Sequence, residues 1–392
     1  MKTAFVNAKI ITGDQILEDG VVVVDGARIC QAGKGFNIPL DAKVIDAQGH
    51  YLSPGFIDLH VHGGGGHDVM EAQPMSVVKM ARAHVRFGTT SMLPTTLTAS
   101  LEDIRAAIYA VDEAMKMPGG ESILGIHLEG PYLAHSQAGA QNAKYMICPS
   151  PKEYEDLVAS SKHIRMMGIA PELPGAHELG CFLRGKGIVA SISHSDATYD
   201  ECMEAVRNGF TDITHIYSGC STVRRINAFR VAGVVEAGLV SDDLTVQVIG
   251  DGKHLPASLL KLIFKCKGAH GISLITDGLS FSAHELEEGV VYRQGGGVES
   301  ILENGVMMML DRQAFAGSIA TMNSLVRNMT KLAGVSLVDA VRTATTTPAK
   351  VIGMDKCKGS IGIGLDADIV LMDSDFQVLL TMVGGEVKYS EM

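Results

Sequence analysis

The stretch GFIDLHVHGG (residues 55–64) decides how this chain is read. Phe56, Ile57, Leu59 and Val61 form a strand-length apolar run, and His60 and His62 stand two apart within it. Side chains alternate along a strand, so residues i and i+2 share a face. Both imidazoles are therefore expected to point the same way. Pro54-Gly55 just before the run marks a turn and the start of a new domain.

Seven more strand-length runs follow: TSMLPT (90–95), ILGIHLEG (123–130), IRMMGIAPE (164–172), IVASISHS (188–195), ITHIYS (213–218), LTVQVIGDG (244–252) and ISLITDG (272–278). Helical spacing of apolar residues fills several gaps, over 75–87, 101–115, 200–210 and 257–267. Two further helices are expected at 319–333 and 336–347, and TTTPAK (345–350) looks like a helix end before proline. Strand followed by helix, repeated eight times, predicts an α/β fold with a (β/α)8 TIM-type barrel; a doubly wound open sheet is the competing architecture. The two chain ends differ in texture. AFVNAKII (4–11), GVVVVDGARICQAG (20–33) and AKVIDAQG (42–49) match ADIVLMDSDFQVLLTMVGGEVKY (367–389) in being short, β-branched and broken by turns. They are expected to form one small β-sandwich domain from residues 1–53 and 356–392, leaving 54–355 as the barrel.

Composition narrows the function. The 392 residues are 46% hydrophobic and 20% charged, which suits a globular chain with a large core. Thirty-three basic against 44 acidic residues give a net charge of −11, so nucleic acid is not an expected partner. No apolar run approaches the length of a membrane span, and the N-terminus MKTAFVNAKI lacks a signal-peptide core. Seven scattered cysteines without a CxxC suggest reduced thiols and a cytoplasmic enzyme, each cysteine acting as a small buried hydrophobe.

The polar residues at the strand ends carry the chemistry. Glu129 ends the third strand, His194 the fifth and Asp277 the eighth, while His215 lies on the sixth. Barrel enzymes draw catalytic groups from the C-terminal ends of several strands. Burying His60, His62, Glu129, His194 and His215 together is costly without a cation. Imidazole and carboxylate without a cysteine pair favour Zn, Fe, Mn, Co or Ni in an open site. A divalent cation lowers the pKa of bound water to roughly 7, and Asp277 would orient that water and move its proton. The implied class is metal-assisted hydrolysis. The glycines of HGGGGHD (62–68) match no phosphate-binding fingerprint and read as a loop allowing close substrate approach.

The motif series GFIDLHVHGG, HLEGP, SHSDAT, THIY, DGKH and TDG resembles the amidohydrolase superfamily and, within it, the N-acetylglucosamine-6-phosphate deacetylases. The resemblance covers nearly the whole chain. It implies a barrel with a β-sandwich, usually a homodimer, that removes acetyl from an N-acetyl amino-sugar 6-phosphate. Glu129, His194 and His215 match the main metal ligands. His60 and His62 match a pair that holds a second metal in some members, with Glu129 as the bridge, so one or two metals per subunit are expected, zinc first. Asp277 matches the general base and acid, and His254 a substrate-binding histidine. Gly317 and Ser318 match a loop near the sugar. Three departures bear on substrate. Gln141 stands where the family often has a histidine near the acyl carbonyl. Ser218, Gly219 and Cys220 replace an Asn-Ala-Met turn. TVRRINAFRVAG (222–233) replaces His-His-Arg-Glu-Pro-Gly, which puts Arg230 on the phosphate-binding arginine, with Arg224 and Arg225 as alternatives. The substrate could then be the galactosamine epimer or another amide.

Overall fold

The computed structural model describes residues 2–293, 299–313 and 315–392. Eight parallel strands form the central sheet: Phe56–Val61 (β1), Thr89–Thr96 (β2), Ile126–Glu129 (β3), Ile164–Ile169 (β4), Val189–Ile192 (β5), Phe210–Ile213 (β6), Thr245–Ile249 (β7) and Ile272–Ile275 (β8). Neighbours in the sheet follow chain order. The ends meet where the Asp277 amide donates to the His60 carbonyl and the His62 amide to the Gly278 carbonyl, both at 2.9 Å. The expected barrel is therefore the architecture, and the open sheet is set aside.

Every residue of β1, β2 and β3 is buried, which explains why these strands read as apolar runs without alternation. One apolar cluster takes Leu59, Leu93, Met166, Ile249 and Ile275 from β1, β2, β4, β7 and β8. Strands from opposite sides share it, so it fills the barrel. A much larger cluster packs the helices against the strands, including Val77, Met80 and Ala81 from Pro74–Val85 and Ile104, Ile108 and Val111 from Leu101–Ala114.

Both chain ends join one eight-stranded sheet. Tyr51–Pro54 sits between Lys2–Ile11 and Ile369–Met372, so it links N-terminal to C-terminal strands before the chain enters β1. This sheet has its own core, built on Phe5, Ile10, Val22, Leu52, Ile369 and Leu371.

Several expectations are corrected. The sixth strand lies three residues earlier than ITHIYS: it is Phe210–Ile213, and residues 214–218 are turn. The β-branched residues misled there, because His215 and Tyr217 adopt positive φ (26° and 79°), which a strand does not allow. TTTPAK opens a helix, Thr346–Val351, because Pro348 falls in the first turn where its missing N–H costs nothing. Helices Pro151–Val158, Ala176–Lys186 and Val234–Val240 were not anticipated, nor was a four-stranded antiparallel sheet over Val291–Gly317. Cys202 and Cys220 are buried as expected, but Cys30, Cys148, Cys181 and Cys266 are exposed. Among the described residues no helix is long and apolar enough to cross a membrane.

Lys358 fastens the chain's return to the terminal sheet. Its Nζ lies 3.0 Å from Asp366 and 2.5 Å from Asp368, while Arg28 reaches Asp366 from the N-terminal strands. Burial disfavours the ammonium, but Asp368 and Asp366 outweigh burial and raise the pKa above its ordinary 10.5. The contribution is complete below pH 10.5 and is lost only as pH rises through the folded value. Lys358→Met is expected to lower stability at pH 7 by about 3 kcal/mol, because two carboxylates lose their cation in a largely buried place. Urea unfolding checks this; an unchanged midpoint would show the ion pair to be idle.

Candidate functional site

Six polar side chains converge at the C-terminal mouth of the barrel. His60 is near the end of β1 and His62 one residue past it; Glu129 is the last residue of β3. His194, His215 and Asp277 each stand two residues beyond the end of β5, β6 and β8, rather than on the strands. All three take positive φ, at 42°, 26° and 47°. Such backbone is uncommon for residues with a side chain and concentrates at functional sites. Here it turns each side chain off the strand path and back over the mouth.

The distances are short. Glu129 Oε1 lies 2.8 Å from His215 Nε2 and 3.2 Å from His194 Nε2. Its other oxygen, Oε2, lies 3.2 Å from His62 Nε2 and 3.5 Å from His60 Nε2. Asp277 Oδ1 faces the same pair at 3.2 and 3.5 Å. Glu129 is thus shared between two groups of potential ligands, His60 with His62 and His194 with His215.

The far side of each ring fixes what the near side offers. Nδ1 of His62, His194 and His215 meets the backbone carbonyls of Thr95 (3.1 Å), Gln137 (2.7 Å) and Ser218 (3.0 Å). His60 Nδ1 meets the Gln247 side-chain oxygen at 3.3 Å. A ring that donates from Nδ1 carries a lone pair on Nε2 when neutral. Nε2 of His60 and of His62 lie only 3.1 Å apart, so two lone pairs face each other beside buried carboxylates. That donor set fits a cation: neutral imidazoles, a shared carboxylate and outer partners of the type metal-binding histidines carry.

Without a cation the charges adjust in predictable directions. Burial opposes ionising Asp277, but the His62 hydrogen bond and the charges of His60, His62 and His215 bring its pKa down to about 2. Burial likewise opposes protonating His62, yet Asp277 and Glu129 raise it well above 6.5. His127 is fully buried edge-on to His60 at 4.7 Å, and burial lowers its pKa.

The mouth opens into a cleft of about 230 Å³. His62, Glu129, Gln141, His194, His215, Ser218, Gly219, His254, Asp277 and Gly317 line it, together with Phe315, which packs on His254 at 4.7 Å. His254 is held by Asp251, 2.7 Å from its Nδ1. Gly219 at φ 57° lies so close to His194 that a Cβ would come within 2.7 Å of its ring.

Other residues fall elsewhere than expected. Gln141 lines the cleft, but its amide donates to Glu129 Oε2 at 2.5 Å and its oxygen accepts from the Thr98 amide. Ser318 is fully buried and outside the cleft, its Oγ accepting from the Ala320 amide; Gly317 supplies that part of the wall. Arg224 is tied to Asp196 at 2.8 Å. Arg225 and Arg230 pair across a hairpin, Arg224–Ile226 with Phe229–Val231, and neither lines the cleft. None of the glycines of HGGGGHD lines the cleft, and three of them are packed: Gly63 abuts the Ser280 backbone, with its carbonyl accepting from His84, and Gly64 and Gly65 lie against His84 and Ala83. Gln247 and Asp212, which lie beneath His60, were missed. A lone glutamine inside the apolar run LTVQVI was the available signal.

A parallel eight-stranded barrel with histidines and carboxylates gathered at its C-terminal mouth defines a metal-dependent hydrolase of the barrel type. The comparisons agree: the amidohydrolase family model matches residues 51–388, and the chain belongs to that family. It is 32% identical to the N-acetylglucosamine-6-phosphate deacetylase of Bacillus subtilis (strain 168), over 97% of this chain and 95% of that one. It is 31% identical to the N-acetylgalactosamine-6-phosphate deacetylase of Escherichia coli O157:H7, over 89% and 90%. The crystal structure of N-acetylglucosamine-6-phosphate deacetylase from Pasteurella multocida superposes with a TM-score of 0.92 at 31% identity, covering 99% of both chains.

Cation binding should stabilise the fold, since only the folded site gathers the ligands. At a thousandfold excess over Kd the gain is about 4 kcal/mol. Chelated protein should therefore melt several degrees higher when zinc is restored. A melting temperature indifferent to chelation and reloading would refute the metal centre.

Proposed function

We propose that the protein hydrolyses the acetamide of an N-acetyl amino-sugar 6-phosphate, N-acetylglucosamine 6-phosphate first, giving acetate and the free amine. The observation that carries this reading is Asp277 facing the His60–His62–Glu129 group in a cleft that also holds His254. His60, His62, Glu129, His194 and His215 would hold one or two divalent cations, zinc first. Such a cation polarises a carbonyl oxygen and makes bound water nucleophilic near neutral pH.

The remaining work falls to side chains. Asp277 is ionised at neutral pH and accepts the proton of the attacking water. Once protonated it returns that proton to the leaving amine. His254, its Nδ1 committed to Asp251, presents its other nitrogen to the substrate. Phe315 and Leu279 supply apolar walls.

The phosphate needs a cationic partner, yet among the described residues no lysine or arginine lines the cleft. Arg230 and Arg225 stand on an exposed hairpin beside the solvent-facing Ile226 and Phe229. A homodimer in which the partner subunit's Arg230 reaches the phosphate accounts for both facts, because a guanidinium binds phosphate in a bidentate fork. The similarity to a galactosamine-type relative, at an identity close to that of the glucosamine-type ones, supports the epimer as a second reading.

Acetate release from both 6-phosphates and from the two unphosphorylated sugars tests the proposal. Turnover that requires phosphate supports it and selects the epimer; turnover of none of the four contradicts it. Asp277→Asn is expected to retain metal and lose roughly 100- to 10,000-fold in kcat. Near wild-type turnover in that variant would remove Asp277 from the mechanism. Arg230→Ala should raise KM for the phosphorylated sugar roughly 10- to 100-fold, the worth of one charged hydrogen bond. An unchanged KM would assign the phosphate to another group.

A further inference from the structure

Three of the four ligand-type histidines are oriented by backbone carbonyls, but His60 is oriented by a side chain. Gln247 sits on β7, fully buried, with its amide oxygen 3.3 Å from His60 Nδ1. Its amide nitrogen lies 2.7 Å from Asp212 Oδ2. Asp212, on β6, is also fully buried. It accepts from Ser191 Oγ at 2.8 Å and from Thr245 Oγ1 at 2.6 Å.

This geometry dictates the direction of the chain. A carboxylate only accepts, so the end of the Gln247 amide facing Asp212 must be the nitrogen. The oxygen then faces His60, and His60 must donate from Nδ1. Its Nε2 is left with a lone pair aimed at His62, Glu129 and Asp277. Ser191 and Thr245 hold Asp212 in turn, and Ser191 is bonded to Thr214 at 2.7 Å. Four side chains from three strands, with Thr214 from the turn after β6, thus converge on the tautomer of one imidazole.

We propose that Gln247 and Asp212 are positioning residues that enable the His60–His62 side of the centre to hold a cation of its own. The proposal rests on the metal reading above and goes beyond it, since neither residue touches substrate or reacting atoms. The His194–His215 side has its tautomers set by Gln137 and Ser218 carbonyls and does not depend on the relay. Losing Gln247 should therefore weaken one of two cation sites and spare the other.

The experiment reads metal binding, so it does not depend on which amide is the substrate. Chelated wild-type protein is titrated with cobalt(II), following visible absorption and, after dialysis, the bound metal by elemental analysis. Two equivalents are expected. Gln247→Met keeps the length and apolar fit but removes donor and acceptor. It should bind the first equivalent as wild type does and the second roughly 10- to 100-fold more weakly. Gln247→Glu can share a proton with Asp212 and still present an acceptor to His60, so it should recover most of that loss. Asp212→Asn keeps the volume and removes the charge that orients the amide, and the second equivalent should weaken in the same direction. Wild-type affinity for both equivalents in Gln247→Met and Asp212→Asn would overturn the proposal. So would a glutamate variant no better than methionine, or a wild-type protein that takes up one equivalent only. A wild type that binds no cobalt would instead sink the metal centre itself.

Discussion

Two buried ring nitrogens 3.1 Å apart, each on a ring whose far nitrogen is held by a hydrogen-bond partner, are the constraint on which the rest depends. When neutral, His60 and His62 present lone pairs to each other and to the carboxylates of Glu129 and Asp277. Such a cluster is unfavourable in a dry interior unless positive charge lies within it. Protons can supply that charge, as the raised pKa of His62 shows, and so can a divalent cation. The barrel serves this arrangement. Its strand ends deliver the groups from several directions, and an apolar cluster fills the barrel interior.

Much of this was legible in the sequence, for a physical reason. Barrel strands are short and buried, so a histidine or glutamate at the end of an apolar run stands out. His60, His62, Glu129, His194, His215 and Asp277 could all be picked out that way on five of the runs, and the eight runs together predicted the barrel. The terminal sheet was legible too, because alternating β-branched residues at both chain ends share one texture.

What escaped the sequence needs knowledge of three-dimensional neighbours. Gln247 lies 187 residues from His60, and the two meet only because β7 and β1 face one barrel interior. The left-handed turns at His194, His215 and Asp277 are set by where the side chains must point, and no local residue preference announces them. For the same reason ITHIYS was read as strand when the chain has already turned. Ser318 was placed near the sugar by motif, but Gly317 faces the cleft while Ser318 caps the turn behind it. The phosphate contact stayed undecided because neither Arg225 nor Arg230 is among the residues that line the cleft.

A metal-dependent deacetylating centre built from these histidines and carboxylates must lose its activity with its metal. One preparation, assayed for acetate release from N-acetylglucosamine 6-phosphate and N-acetylgalactosamine 6-phosphate as purified, after chelation, and after zinc is restored, tests it most directly. Turnover of at least one sugar, its loss on chelation and its return with zinc are expected. Turnover that survives complete removal of metal would contradict it.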